Sequence, residues 1–247
     1  MGGANQLAKI ILRRTPELPD GAQLSTLDFN SVEAFDPVLM NVTLEGPQLE
    51  GATLTTSLRT RYTESILGSS AEPTAGHRRT IDALPGDLLR DGEWQIATVN
   101  AIASIDERRT ASTFFVAPDD QTLTLGAPAT QPVFNTVSTN PSLRLSATFD
   151  AQPDYNRLTS VAFHQDQLIV AVAMTGAYAD LVPAGYDLIV PDLINVVGFR
   201  SQWALHKGEV IFWTATRTGG SLGLGANAEP FPGATSRLAE RFGSFIP

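Results

Sequence analysis

Residues 156–178, NRLTSVAFHQDQLIVAVAMTGAY, form the most apolar and β-branched stretch of the chain, and they constrain the fold more than any other segment. Val161 and Phe163 alternate with small or polar residues, and a polar turn follows them. This alternation predicts a β-hairpin whose first strand has one buried face. Residues 168–174 are apolar on both faces, which predicts a central strand that is covered on both sides.

Strand-like segments recur every 8–15 residues along the chain, and helix-like segments are scarce. This spacing is typical of sandwiches and barrels and argues against an α/β fold. The sequence therefore predicts an all-β fold of two β-sandwich modules with a short C-terminal helix and extended terminal arms. The helix is predicted at 235–242, TSRLAERF, where Thr235 or Ser236 is a suitable N-cap residue.

The module boundaries follow from a segment that is rich in Pro, Thr and Ser and nearly uncharged, which predicts a linker at 128–142. For the start of the chain, a short helix at 6–14 and an extended arm along a sheet edge fit equally well. The predicted division is an N-terminal arm (1–20), a first β-sandwich module (21–127), the linker (128–142), a second β-sandwich module (143–217), and a Gly/Pro-rich loop with the C-terminal helix or arm (218–247).

Charge and composition exclude several classes of function. The net charge of −9 disfavours a nucleic-acid partner, because phosphate binding needs a concentrated basic surface. Cysteine is absent, so disulfides, thiolate nucleophiles and cysteine-ligated metals are excluded. No apolar run approaches the roughly 18–20 residues of a membrane helix, so no membrane span is predicted in this chain.

The first residues lack the hydrophobic core of a signal peptide. If the N-terminus is processed, the mature protein is secreted or carries a lipid anchor. On this condition, an extracytoplasmic location is expected, in the periplasm, on the outer surface or outside the cell.

Residues 219–223, GGSLG, match the G-x-S-x-G pattern of a nucleophile elbow and follow a predicted strand. The elbow also needs a helix after the serine, and then an acid and a histidine later in the chain. No Asp or His follows Ser221, and the next residues make a poor helix. We therefore predict no catalytic residue, no cofactor and a chain that is not an enzyme.

Candidate binding residues are few. Asp150, Asp154 and Asp166 bracket the start of the second module and are candidate Ca²⁺ ligands, although Asx turns explain them more simply and no metal site is predicted. Trp203 lies in a predicted loop, FRSQWALHKG, and is the candidate ligand-binding residue, as a stacking platform for a sugar, although a position that caps the core explains it more simply.

An internal echo links two segments of the sequence. GAQLSTLDFNSVEAF at 21–35 and GYDLIVPDLINVVGF at 185–199 share five residues at a constant offset of 164. One copy opens the first module and the other lies within the second, so a simple tandem duplication does not explain the echo. It indicates instead a shared strand–loop–turn element.

Four segments carry a resemblance to a known architecture. They are the LRLSATF opening, the VAF…LIVAVAM pair, the VPDLINVVGF loop and the Trp203-to-Trp213 run. Through them, residues 143–217 resemble the bacterial immunoglobulin-like or fibronectin-III-like modules of exported proteins and lipoproteins. The resemblance implies adhesion, scaffolding or spacing, with other protein subunits or cell-surface components as partners. The expected function is protein–protein interaction, as a surface module or an accessory subunit of a membrane-associated complex. The alternative is carbohydrate binding or processing through loop Trp residues and carboxylates.

Overall fold

The chain is all-β, as the spacing of its strand-like segments predicts. The structure, a computed structural model, describes residues 8–14, 21–23, 25–70, 77–180, 186–224 and 228–247. Within these ranges the strands are β1 (Ile10–Ile11), β2 (Ala34–Phe35), β3 (Val38–Glu45), β4 (Thr53–Arg59), β5 (Glu64–Ser70), β6 (Arg78–Ala83), β7 (Trp94–Ser104), β8 (Glu107–Phe115), β9 (Gln121–Thr124), β10 (Val133–Ser138), β11 (Arg144–Phe149), β12 (Leu158–Gln165), β13 (Leu168–Thr175), β14 (Tyr186–Ile189), β15 (Ile211–Gly219) and β16 (Thr235–Phe245).

Helical structure is sparse. The described residues form one short helix, α1 (Gly176–Ala179), and single 3-10 turns at Gly86–Leu88, Pro153–Tyr155 and Ser201–Trp203. None of the helices in these ranges is long and apolar enough to cross a membrane.

One continuous antiparallel sheet contains eight of the strands, in the order β13-β12-β15-β16-β8-β7-β4-β5. Two smaller sheets have three strands each, in the orders β6-β3-β9 and β10-β11-β14, and β1 pairs with β2. The β8–β16 pair joins the strands of the N-terminal half to those of the C-terminal half.

The two halves of the large sheet repeat one strand order. Read outward from the centre, they are β8-β7-β4-β5 and β16-β15-β12-β13. In both halves a hairpin is followed by a strand of a smaller sheet, β6 or β14, and then by two further strands of the large sheet. The echoed segments 21–35 and 185–199 are not equivalent in this order, because one precedes β3 and the other includes β14.

Each half has its own hydrophobic core. The first core contains Met40 and Val42 of β3, Ile81 of β6, and Val99 of β7, so it lies between the β6-β3-β9 sheet and the large sheet. The second core contains Leu145 of β11 and Leu188 of β14 packed with Val161 and Phe163 of β12 and Trp213 of β15. We call the face of the large sheet that points to these cores the inner face.

Strand β12 has the predicted single buried face. Thr159, Val161, Phe163 and Gln165 are buried and alternate with half-buried residues. The turn to β13 is formed by Asp166 and Gln167, so the predicted hairpin is confirmed.

The prediction that the second strand of this hairpin is central and covered on both sides is wrong. Strand β13 lies at the end of the large sheet, and its residues alternate between half-buried and exposed. Ile169 on the outer face is 66% exposed. In the described part of the chain, the strand with apolar residues on both faces is therefore an exposed edge strand. The prediction failed because hydrophobicity alone does not distinguish an edge strand from a central strand.

The predicted C-terminal helix at 235–242 is also wrong. These residues belong to β16, which pairs with β15 on one side and β8 on the other. An isolated helix of this length is marginal, whereas two flanking strands satisfy the backbone groups on both sides. Tertiary pairing thus overrides the local propensity.

The start of the chain is extended where it is described. Ile10–Ile11 form β1, so a helix is wrong for these residues, while 1–7 and 15–20 lie outside the described ranges. Ile10 and Leu12 pack on Leu58 of β4 and Leu67 of β5. Arg14 forms a bidentate pair with Glu93, at 2.8 and 2.6 Å. Burial opposes ionisation of Glu93, but the hydrogen bonds and charge of Arg14 hold its pKa below the ordinary value.

The segment predicted as a linker, 128–142, contains strand β10. Phe134 of β10 packs in the second core, with its ring centroid 4.9 Å from that of Trp213 and 5.1 Å from that of Phe245. Ala129 is buried against Tyr155 and Ala239. The division into two modules stays a prediction, but this segment is packed onto both β16 and the second core.

Gly243 leaves the space that Trp213 fills on the neighbouring strand. The two residues are direct cross-strand partners, and a Cβ at Gly243 would lie 2.6 Å from Cζ2 of the indole. We expect Gly243→Ala to lower the free energy of unfolding by about 1–3 kcal/mol, because the buried indole cannot move away without strain. The control is Ser244→Ala at the adjacent exposed position, which should change stability by less than about 0.5 kcal/mol. Denaturant unfolding measures both, and equal stability of the two variants would contradict this packing.

Candidate functional site

The loop between β14 and β15 presents apolar side chains to solvent. We call residues 191–203 the apolar loop. Asp192 begins it with an Asx turn, in which Ile194 N donates to Asp192 Oδ1 at 3.1 Å. Two successive turns follow, closed by Val196 N to Leu193 O at 2.9 Å and Phe199 N to Val196 O at 3.0 Å. Val197 follows the first residue of the second turn and is 102% exposed, and we call it the tip of the apolar loop.

Trp203 stands at the base of the apolar loop and is 46% exposed. The Cζ atom of Arg200 lies 5.4 Å from the centroid of its ring, and the Phe199 ring meets it edge-on at 6.2 Å. Two residues further along, Leu205 is buried and forms a β-bridge with Leu143, which fixes the loop to the second core. The prediction that Trp203 lies on a loop is confirmed, and its surroundings are apolar and basic.

The echoed segment at 21–35 contains a similar turn. Asn30 N donates to Asp28 Oδ1 at 2.9 Å, and two turns again follow, closed by Ser31 N to Asp28 O and by Ala34 N to Ser31 O, both at 3.1 Å. Val32 is 104% exposed, and its partner in the echo, Val196, is 52% exposed. The shared Asp thus begins the same kind of turn in both copies, and each turn exposes a valine.

Charged residues at the β8–β16 contact fix its register. On the inner face, Arg241 donates to its cross-strand partner Glu107 at 3.0 Å. On the outer face, the next pair along, Arg108 and Glu240, is 3.6 Å apart. A slip of one residue would place Glu107 opposite Glu240 or Arg108 opposite Arg241, and like charges in these positions are destabilising. The charge pattern therefore selects one register.

Arginines on the inner face also hold the segment 126–130 against the large sheet. Arg109 is 1% exposed and donates to Gly126 O at 2.7 Å, and Arg241 donates to Ala129 O. Tyr155 donates to Ala127 O at 2.7 Å. Because this segment forms no backbone ladder with the sheet, side-chain donors satisfy its buried carbonyls. We call this set of contacts the arginine junction.

Arg217 extends the arginine junction into the second half. It is fully buried and donates to Asp150 O at 2.8 Å and Gln152 Oε1 at 2.7 Å. Its Cζ atom lies 5.9 Å from the Phe149 ring centroid and 5.5 Å from that of Tyr186. Burial lowers the pKa of Arg217. The two aromatic rings and the two acceptors offset part of the cost of burying this charge.

The three carboxylates named as candidate Ca²⁺ ligands have different surroundings. Asp154 accepts from Ala127 N at 3.0 Å and from Arg237 at 3.2 Å, so both its oxygens are engaged in the arginine junction. Asp150 contributes its carbonyl to Arg217, and Asp166 occupies the β12–β13 turn with a φ of 50°. Among the described residues, no group of three or more His, Cys, Asp or Glu side chains has the arrangement of a metal site.

Ser221 of the G-x-S-x-G match closes a turn. Thr235 N donates to Ser221 Oγ at 2.9 Å, and Ser221 N donates to Thr235 Oγ1 at 3.2 Å. Its carbonyl accepts from Arg157 at 3.4 Å. Through these contacts, Ser221 stabilises the loop that joins the end of β15 to the start of β16.

Sequence reasoning missed both the arginine junction and the exposed valines. Strand alternation could have indicated the arginine junction, because Arg217 continues the inward-facing row of Ile211, Trp213 and Ala215. Arg109 likewise shares the inward row of Ala111. No local pattern distinguishes an exposed valine tip from a buried strand residue.

No family model matches the chain, and no curated protein is significantly similar to it in sequence.

Tyr155 makes the arginine junction sensitive to alkaline pH. Burial raises the pKa of Tyr155 to about 12 from an ordinary 10.0. The unfolded chain therefore releases this proton at a lower pH than the folded chain, and the free energy of unfolding falls as pH rises from about 10 to about 12. Below the pKa of Tyr155 in the unfolded chain, the full contribution of this residue to the free energy of unfolding is present.

We expect Tyr155→Phe to be less stable than the parent by about 0.5–1.5 kcal/mol at pH 8, because Ala127 O loses its donor. The difference should fall by up to about 1.4 kcal/mol for each pH unit between the two pKa values, so that near pH 12 Tyr155→Phe becomes the more stable of the two proteins. Denaturant unfolding at a series of pH values measures this. Tyr62→Phe, at a residue 82% exposed, is the control and should parallel the parent. A constant difference between Tyr155→Phe and the parent would contradict the buried phenol.

Proposed function

We propose that the chain is a non-enzymatic exported β protein that contacts other proteins, as a surface or scaffold module or as an accessory subunit of a membrane-associated complex. The observation that carries the proposal is the apolar loop, in which Val196, Val197 and Trp203 are 52%, 102% and 46% exposed. Clustered apolar groups at the surface of a soluble domain mark interaction sites. Trp and Arg, which stand side by side here as Trp203 and Arg200, are both enriched among the residues that dominate binding energy.

The proposal includes a finer description of the fold. Each half is a β-sandwich module of the immunoglobulin-like kind, with its core between one small sheet and half of the large sheet. The repeated strand order and the two separate cores support this description. Modules of this kind present loops at their ends while the sheets stay rigid, which suits a loop-borne contact.

The exported location belongs to the same proposal. It rests on the resemblance of residues 143–217 to modules of exported proteins and lipoproteins. The partners are other protein subunits or cell-surface components, and a lipid anchor is part of the proposal if the N-terminus is processed.

Carbohydrate binding is the rival function, and the half-exposed indole of Trp203 is the observation that favours it. A flat ring on a loop can stack on a sugar. In this chain one neighbour of the ring is the Arg200 guanidinium, at 5.4 Å from the ring centroid, which suits a protein or acidic partner equally.

Site-specific photo-crosslinking in cells of the source organism tests the interaction role. We expect a photoreactive residue at Val197 to give a defined crosslink to another extracytoplasmic protein, because this side chain is at the tip of the apolar loop. The matched control is the same residue at Val137 of β10, which is 44% exposed but outside the apolar loop. Equal crosslinking from both positions, or none from Val197, would count against the proposal.

Trp203→Ala separates the two functions. Against the crosslinked protein, purified and tested by calorimetry, the substitution should weaken binding by about 2 kcal/mol, since the indole is the largest exposed ring of the loop. If the chain instead binds sugars on a glycan array and this binding disappears in Trp203→Ala, the carbohydrate function replaces the proposed one.

A further inference from the structure

The two ends of the large sheet differ in how they are protected from further pairing. Strand β5 carries Glu64 and Gly68, and its ladder with β4 is interrupted by a register shift at Thr56/Ser57. Strand β13, LIVAVAMT, has no charge, glycine or proline, and its eight-residue ladder with β12 has no shift. Charges and bulges are the usual means by which edge strands avoid pairing with other chains. They are present in β5 and missing from β13.

The hydrophobic surface beside these edges also differs. Near β5, the N-terminal residues Ile10 and Leu12 pack on Leu58 and Leu67 and complete a cluster. Near β13, the inward residues Val170, Val172 and Met174 are only partly buried against the second core. Within the described residues, β13 pairs with β12 alone. An added strand would therefore pair with the backbone groups on the side of β13 that has no strand partner among the described residues, and it would cover more of this apolar row.

We propose that β13 is a self-association edge, at which two copies of the chain pair their β13 strands antiparallel around a two-fold axis at Ala171. In this register Ile169 lies opposite Ala173, so a large side chain faces a small one. Val170 lies opposite Val172, and β-branched pairs of this kind stabilise sheets. The pairing deepens the proposed interaction role, on which it rests, by naming a second copy of the chain as one partner.

The absence of charge on β13 permits a second copy at this edge. Two chains that each carry a net charge of −9 repel one another, so a contact between them forms best where charges are absent. The β13 strand has no ionisable residue, and the two-fold register brings no like charges opposite one another. The β8–β16 contact shows within one chain that two four-stranded halves join edge to edge in antiparallel fashion.

Sedimentation velocity of the full chain over a wide concentration range tests the proposal. We expect a concentration-dependent species of twice 26.4 kDa. Ala171→Lys should abolish it, because two lysines would face each other at the axis while the exposed outer face tolerates the side chain. Ile66→Lys, on the other edge strand at a residue 72% exposed, is the matched control and should leave the dimer intact. Mixing Ala171→Lys with Ala171→Glu should restore it.

A monomer at all concentrations overturns the proposal. So does a dimer that persists in Ala171→Lys or that is lost in Ile66→Lys. Failure of the Ala171→Lys and Ala171→Glu mixture to form a dimer overturns it as well. Circular dichroism checks that the variants fold. If Ala171→Lys does not, Ala171→Cys decides the question, since the chain has no other cysteine. A covalent dimer should form on mild oxidation with Ala171→Cys and not with Ile66→Cys; the reverse result overturns the pairing. These measurements need no other subunit, so a monomer leaves the crosslinking test of the proposed function unaffected.

Discussion

The antiparallel pairing of β8 with β16 is the interaction on which the rest of the structure depends. Without it, each four-stranded half would end in an open edge, and the segment 126–130 would lose the inner face against which it packs. The ladder runs from the Thr235–Thr113 pair to the Arg241–Glu107 pair. Two adjacent ion pairs, one on each face, specify its register, so electrostatics selects the alignment and the backbone ladder holds it.

Charged side chains on the inner face of the large sheet are costly to bury. Glu107 and Arg109 lie on the inner face with almost no exposure, and Arg217 is completely buried. Most of the acceptors around Arg109 and Arg217 are carbonyl oxygens, so these guanidinium groups act mainly as multiple hydrogen-bond donors. That arrangement joins loop segments to the sheet where no backbone ladder reaches them, and it makes the interior specific at some expense of stability.

The sequence was sufficient for features that depend on local alternation, and insufficient where distant pairing decides. The alternation around Val161 and Phe163 identified β12 and its buried face. Residues 235–242 have a plausible cap and amphipathic spacing, yet they form a strand because β8 and β15 flank them. The apolar pattern of 168–174 identified a strand but not its position at the sheet edge. Trp203 was identifiable as a loop residue, whereas the exposure of Val197 follows from turns that only the folded chain shows.

The central position of β16 has a consequence for the order of folding. The hairpins β7–β8 and β12–β13 close over short loops, but the pairing of β16 with β8 joins residues separated by most of the second half of the chain. Contacts between such distant residues carry a large loop-closure cost and form late. Until β16 arrives, β8 is an unprotected template, and a β16 from a neighbouring molecule fits it as well as its own. We therefore expect strand exchange between chains to compete with native pairing when the protein refolds at high concentration.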